Sequence, residues 1–124
     1  MQKLEFESAW DKTIARQDRE EIERVFSEFH SDEHVRQQAV ILKTAYNYKE
    51  EFLVTVLVNN YSTEPFSLIG KKVLYIEEEH TIGDMDSRYT LEVPAETSMP
   101  WTFIFPAASL KKQPSREYGK LIIM

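Results

Sequence analysis

The chain has 124 residues, no cysteine and a formal net charge of −6. This length fits a single domain, residues 1–124, which buries about two-thirds of the surface that its unfolded chain would expose. The absence of cysteine excludes disulfide bonds, thiol catalysis and thiolate metal sites. The acidic balance argues against nucleic acid and anionic membranes as main partners, because both attract clustered lysine and arginine.

The sequence predicts neither a membrane span nor a signal peptide. The longest uncharged apolar run, residues 52–58, is far shorter than the roughly 18 residues that a membrane-spanning helix needs. Residues 1–6 contain a lysine and a glutamate and no apolar stretch follows them, so we expect a cytoplasmic location. Residues 1–33 hold ten acidic and five basic side chains, whereas residues 34–124 hold eleven and ten. An acidic N-terminal segment therefore precedes a nearly neutral body.

Helical spacing is confined to the acidic segment. Trp10 and Ile14 are four residues apart, which predicts a turn or short helix that docks through Trp10. Asp18 and Glu21 have the spacing of a capping box, which predicts a longer helix that begins at Asp18 and ends near Phe29. The apolar side chains of this helix form one stripe: Ile22, Val25, Phe26 and Phe29. We expect the helix to pack on an edge or a face of the sheet that follows.

After the helix, β-branched and aromatic residues alternate with polar ones. The expected strands are residues 40–48, 52–58, 66–69, 73–76, 89–93 and 101–105, while residues 121–123 are either a last edge strand or an apolar tail. Residues 52–58 should form the central strand, ended by Asn59-Asn60, and residues 82–86 a loop around Gly83. No crossover helices separate these segments, so we predict a mainly β protein with an N-terminal helix: an antiparallel Ig-like β-sandwich of six to seven strands.

Residues 94–106 carry the most distinctive pattern in the chain. Three large aromatic side chains alternate along a strand of about five residues and share one face: Trp101, Phe103 and Phe105. Three prolines punctuate the segment: Pro94, Pro100 and Pro106. Since proline has no backbone donor for a sheet, we expect the prolines to lie outside the strand and the aromatic face to be core.

Two groups of ionisable residues have spacings that could form a chemical site. His30 and His34 have a spacing that could place two imidazoles on one helical face as metal ligands, but the helix dipole also favours histidine near a helix C-terminus, and we favour that interpretation. The acidic residues from Glu77 to Asp86 lack the alternating oxygen ligands and central glycine of a calcium loop. The chain also lacks a nucleophile elbow and a Gly-rich phosphate loop. We therefore expect no metal, no cofactor and no enzymatic activity.

Aromatic residues suggest a different kind of site. The faces of aromatic rings are the usual platform for sugars, so Tyr61 and Tyr75 are candidate stacking residues of a carbohydrate or cell-wall binding module. That alternative needs coplanar, exposed rings and a secreted precursor. Most aromatic residues stand at strand-alternation positions beside aliphatic neighbours, so core packing is the favoured interpretation.

Several segments resemble a known family. These are Asn-Tyr-Lys at 47–49, the apolar residues 53–59, and above all the Pro-Trp-Thr-Phe-Ile-Phe-Pro run that ends at Pro106. In these segments the chain resembles the SLAP domain of Bacillus and related Firmicutes. The resemblance implies a non-enzymatic protein-interaction domain, an accessory factor in export or assembly of cell-surface, S-layer-type proteins. Its partner would be a client or a secretion component, held at a strand edge or an apolar strip beside Trp101.

Overall fold

The computed structural model describes residues 2–30, 38–115 and 119–124. The helices are α1 (Ser8–Thr13), α2 (Arg16–His30) and the 3₁₀ helix η1 (Ala107–Ser109). The strands are β1 (Lys3–Leu4), β2 (Ala39–Tyr46), β3 (Phe52–Asn60), β4 (Phe66–Ser67), β5 (Lys72–Glu77), β6 (His80–Asp86), β7 (Glu92–Val93), β8 (Thr97–Phe105) and β9 (Lys120–Ile123). The prediction of a mainly β protein is confirmed.

The strands form three sheets in the described part of the chain. Four strands lie in the order β1-β8-β3-β2, three in the order β6-β5-β9, and β4 pairs with β7. β2 lies next to β9, so the larger sheets curl around a common interior. The pairs are antiparallel except for β1, which runs parallel to β8.

The strand count differs from the expectation. The described residues form nine strands where six to seven were expected, and β1, β4 and β7 have only two residues each. Two residues are too few to show an alternating pattern in a sequence. The parallel β1 also departs from a purely antiparallel sandwich, so the Ig-like arrangement stays a prediction.

The main core lies between the four-stranded and three-stranded sheets. Its largest fully buried side chains are Tyr75, Phe103, Phe105, Leu68, Ile82, Val54, Val56, Val58, Val73 and Val93. β3 is the central strand, as expected, because it pairs with β2 on one side and β8 on the other. The strand ends at Asn60, two residues later than expected, because Asn59 and Asn60 both belong to it and are buried.

A second apolar layer separates the helices from the outer face of the four-stranded sheet. Ile22 of α2, Val40 of β2 and Leu57 of β3 are buried together there. Partly buried side chains complete the layer: Leu4, Phe6, Trp10, Ile14, Val25, Phe26 and Leu42. The helices thus cover a face of the sheet, and residues 52–58 of β3 are apolar except for Thr55 because both faces of the strand are covered.

The helix boundaries follow from charge and capping at their N-termini. The Glu7 carboxylate caps α1 by accepting from a backbone amide of its first turn at 3.1 Å. α2 begins at Arg16, so the expected start at Asp18 is wrong. Asp18 lies in the first helical turn, where the positive end of the helix dipole also favours a carboxylate. The helix ends at His30, one residue beyond the expected end.

The aromatic strand is longer than expected, and Pro100 lies inside it. β8 covers nine residues, and Pro100 stands opposite Leu57 of β3. The Ser98 carbonyl accepts from the Glu5 amide at 3.0 Å, so Ser98 turns its backbone polar groups away from β3. Pro100, two residues further on, faces the same way. No strand among the described residues pairs with that edge at Pro100, so its missing N–H costs no sheet hydrogen bond.

The loop expected around Gly83 is instead the middle of β6. The turn lies earlier, at Glu78-Glu79, whose positive φ angles of 48° and 68° suit a two-residue hairpin connection. A Cβ atom at Gly83 would lie 3.2 Å from Cδ1 of Phe105 and 3.0 Å from Cδ2 of Leu110. The glycine therefore marks a close approach between strands rather than a bend.

Candidate functional site

The outer edge of β8 is the candidate site. β1 pairs with β8 only at Thr97 and Ser98. Beyond Ser98, no strand of the described residues pairs with this edge. A groove of about 560 Å³ lies beside it, lined by Glu7, Trp101 and residues 88–92. We call this the edge groove.

Backbone groups of β8 face this edge at every second residue. Ser98 faces outward, so Pro100, Thr102 and Ile104 do too. The Ile104 amide donates to the Tyr89 hydroxyl at 3.1 Å, which caps one end of the edge. Burial raises the pKa of Tyr89, and the Ile104 hydrogen bond opposes that shift only in part. Pro100 is buried, so the part of the edge between it and this cap consists of the Thr102 N–H and the carbonyls beside it.

Trp101 joins the edge groove to the helical layer. Its ring stacks on Trp10 with centroids 6.3 Å apart and an interplanar angle of 23°. Tyr89 meets the same ring edge-on at 5.4 Å. Phe103 and Phe105 are fully buried, as the aromatic pattern predicts, whereas Trp101 is only partly buried. The expectation that all three aromatics lie in the core is therefore too broad.

The indole nitrogen of Trp101 has an unusual environment. Nε1 is buried and has no hydrogen-bond partner in the described part of the chain. A buried donor without an acceptor costs about 1–3 kcal/mol, and buried tryptophan usually finds a partner.

The structure does not support Tyr75 as a sugar-stacking residue. Its ring is fully buried in the main core, against Phe52 and Phe105. Tyr61 is partly exposed just after β3. A buried ring cannot offer its face to a sugar, so Tyr61 and Tyr75 do not form the coplanar exposed pair that the carbohydrate alternative requires.

Tyr75 instead has a structural role with a pH signature. Its hydroxyl donates to the Glu77 carboxylate and accepts from the Gly119 amide, both at 3.0 Å. Burial raises the pKa of Tyr75 to about 12, the Gly119 amide opposes the shift, and Glu77 adds to it. The folded protein therefore holds this proton at pH values where the unfolded chain, with a tyrosine pKa of about 10, releases it.

We expect the wild type to lose stability between pH 10 and about 12. In that window the unfolded state binds fewer protons, so the free energy of unfolding falls as the pH rises. The contribution from Tyr75 is fully present below pH 10. Tyr75→Phe should reduce this fall in the free energy of unfolding at high pH, because phenylalanine has no proton to release. At neutral pH the same variant should be less stable than the wild type by about 1 kcal/mol, because it lacks two hydrogen bonds. Urea unfolding across this pH range checks the prediction, with the exposed Tyr48→Phe as control. Equal slopes for wild type and Tyr75→Phe would contradict it.

Part of the acidic run lines a pocket of about 190 Å³, to which Glu77, Glu78 and His80 contribute. Glu77 accepts from Tyr75 and from the Ser115 amide, while Glu78 and Glu79 form the hairpin turn. The Asp84 carboxylate forms an ion pair with the Lys111 ammonium group, with Oδ2 and Nζ 3.4 Å apart. Within residues 2–30, 38–115 and 119–124, no group of three histidine or acidic residues could hold a metal ion.

The metal-binding spacing of two histidines falls at the edge of the part of the chain that the structure describes. His34 and the side chain of His30 lie outside the described residues.

Sequence reasoning missed most of the edge groove. The local pattern does not single out Glu7 or Arg88, and it assigns Tyr89 to a strand, whereas β7 contains only Glu92 and Val93. Trp10 and Trp101 are far apart in the chain, and no local signal indicates that their rings stack. The three prolines were the only available sign of an edge strand.

Comparison with known proteins identifies one family. The family model described as the SLAP domain matches residues 4–120, nearly the whole chain. No curated protein matches the chain, and no solved structure matches it. Among the helices that the structure describes, none has the length and apolar character needed to cross a membrane.

Proposed function

The chain belongs to the SLAP domain family, and from this premise we propose that it is a non-enzymatic protein-interaction domain that assists export or assembly of S-layer-type proteins. Membership in this family supports an association with cell-surface or S-layer proteins. In this proposal the chain acts in the cytoplasm, and its partner is a client protein or a component of the secretion machinery. The domain needs no cofactor for this role, because binding alone performs it.

The unpaired edge of β8 beyond Ser98 is the observation that supports this function best. An extended segment of a client can join such an edge by strand addition, with backbone hydrogen bonds for affinity and side-chain pockets for specificity. Thr102 would donate to a client carbonyl, and the neighbouring carbonyls would accept from client amides. The rings of Tyr89 and Trp101 would contact alternate client side chains.

Two features limit the length of a segment that could bind there. β1 occupies the edge at Thr97 and Ser98, and the Tyr89 hydroxyl caps Ile104. About three or four client residues fit between them at a strand rise near 3.3 Å. We therefore expect short, extended client segments rather than folded partners.

Ile104→Lys should weaken client binding about tenfold or more, because a charged side chain at a strand edge opposes pairing with another chain. Ile104 is 39% exposed, so the substitution leaves the buried core intact. The matched control is Ile122→Lys on β9, where the isoleucine is 37% exposed. Fluorescence anisotropy with labelled extended peptides from an S-layer-type protein measures the affinity, and thermal unfolding shows that both variants are folded.

The two variants separate the outcomes. Weaker binding by Ile104→Lys with near-wild-type binding by Ile122→Lys supports the β8 edge. Equal affinity of wild type and Ile104→Lys overturns the proposed edge. If no S-layer-type peptide binds the wild type, the export function itself fails, and cell-wall glycan is the next ligand to test.

A further inference from the structure

A second cleft lies between the two α-helices and the outer face of β2, β3 and β8. Its volume is about 250 Å³, and we call it the helix cleft. Its apolar walls come from both layers: Trp10, Ile14, Ile22 and Leu42. The volume is below the 300–1,000 Å³ or so of typical small-molecule sites. It suits one large side chain of a partner better than a cofactor.

Two threonines form the floor of the helix cleft. The hydroxyls of Thr55 on β3 and Thr102 on β8 lie 2.8 Å apart and share one hydrogen bond. Each hydroxyl has a single proton, so when one donates to the other, the second keeps its own proton for another acceptor. Thr55 is only 6% exposed, which places this polar pair at the base of an otherwise apolar cavity.

The mouth of the cleft is predominantly acidic. Asp18 and Glu21 of α2 line it, opposite the single cation of Lys43. Hydrogen bonds from Arg24 lower the pKa of Glu21 and pair its carboxylate, so Asp18 supplies the negative charge at the mouth for a partner. α2 as a whole carries five acidic and three basic side chains. Its field therefore favours a cationic partner.

We propose that the helix cleft binds a protein segment in which a large apolar side chain is flanked by lysine or arginine. The apolar side chain fills the cavity above Thr55 and Thr102 as an anchor, in the manner of an interface hot spot. A flanking cation lies near Asp18 at the mouth. This inference rests on the proposed function, since it specifies a second contact with the same class of partner, on the opposite side of the four-stranded sheet from the main core.

Three synthetic peptides test the helix cleft: a leucine between two lysines, the same leucine between two glutamates, and a serine between two lysines. Binding is followed by chemical-shift changes of the Thr55 and Ile22 amides in the wild-type protein, since both residues line the cleft and neither belongs to the β8 edge. We expect the leucine–lysine peptide to shift both amides and the other two to bind about tenfold more weakly. Asp18→Lys should reduce affinity for the leucine–lysine peptide several-fold, whereas Glu23→Lys, an exposed change on the same helix, should not.

The outcomes distinguish this inference from the proposed function. Failure of the leucine–lysine peptide to shift the Thr55 and Ile22 amides, or equal binding of the serine peptide, overturns the helix cleft as a site. The leucine–lysine peptide should still bind Ile104→Lys, because that residue does not line the cleft. If the leucine–lysine peptide does not bind the helix cleft while Ile104→Lys still weakens binding of S-layer-type peptides, the helix-cleft inference is wrong and the proposed function at the β8 edge stands.

Discussion

Replacing Phe105 with alanine is expected to lower the free energy of unfolding by about 3–5 kcal/mol. Phe105 is fully buried and lies within 6.5 Å, centroid to centroid, of the rings of Phe52 and Tyr75. It also packs against Gly83, where β6 approaches most closely. Alanine would leave a cavity at the point where the two larger sheets meet, and the close-packed surroundings can collapse into it only in part.

Chemical denaturation with urea measures this loss. Tyr48→Ala is the matched control, because it removes an aromatic ring that is 90% exposed and should change stability by less than about 0.5 kcal/mol. A loss below about 1 kcal/mol for Phe105→Ala would show that the interior between the sheets is not the main source of stability.

Asn60→Ala is expected to cost about 2–4 kcal/mol, an unusually large effect for a polar residue. The side chain is nearly fully buried at the end of β3. Its amide nitrogen donates to the carbonyls of Glu64, Val93 and Pro94 at 2.8–3.1 Å. Its Oδ1 accepts from the backbone and hydroxyl of Ser62. Alanine would leave several of these groups without partners in a buried position, which costs more than the hydrogen bonds themselves contribute.

Asn47→Ala is the control for this prediction. The Asn47 side chain also bonds the backbone of its own turn, at Lys49 and Glu51, but it is only partly buried. Water can replace its hydrogen bonds, so we expect a loss of about 1 kcal/mol. Similar losses for Asn47→Ala and Asn60→Ala would contradict the importance of burial at Asn60.

The two predictions also show which features a local pattern can reveal. Alternation along residues 101–105 places Phe103 and Phe105 in the core, and the structure confirms this. The Asn59-Asn60 pair, in contrast, reads as a strand terminator, because asparagine favours turns. The buried role of Asn60 depends also on Val93 and Pro94, which reach it only after the chain has folded. Polar residues whose partners are distant in the chain are therefore misread from local sequence.

By itself, the sequence determined the features that depend on local periodicity: the mainly β class, the long amphipathic helix, the central strand and the aromatic core. Burial of one face imposes these patterns on neighbouring residues. Only the tertiary structure decided that β1 runs parallel to β8, that Pro100 lies on an unpaired edge and that Tyr75 is buried. Each of these features depends on contacts between distant segments. Both candidate sites arise from such contacts, since Trp10 meets Trp101 and α2 faces Thr102 only in the folded chain.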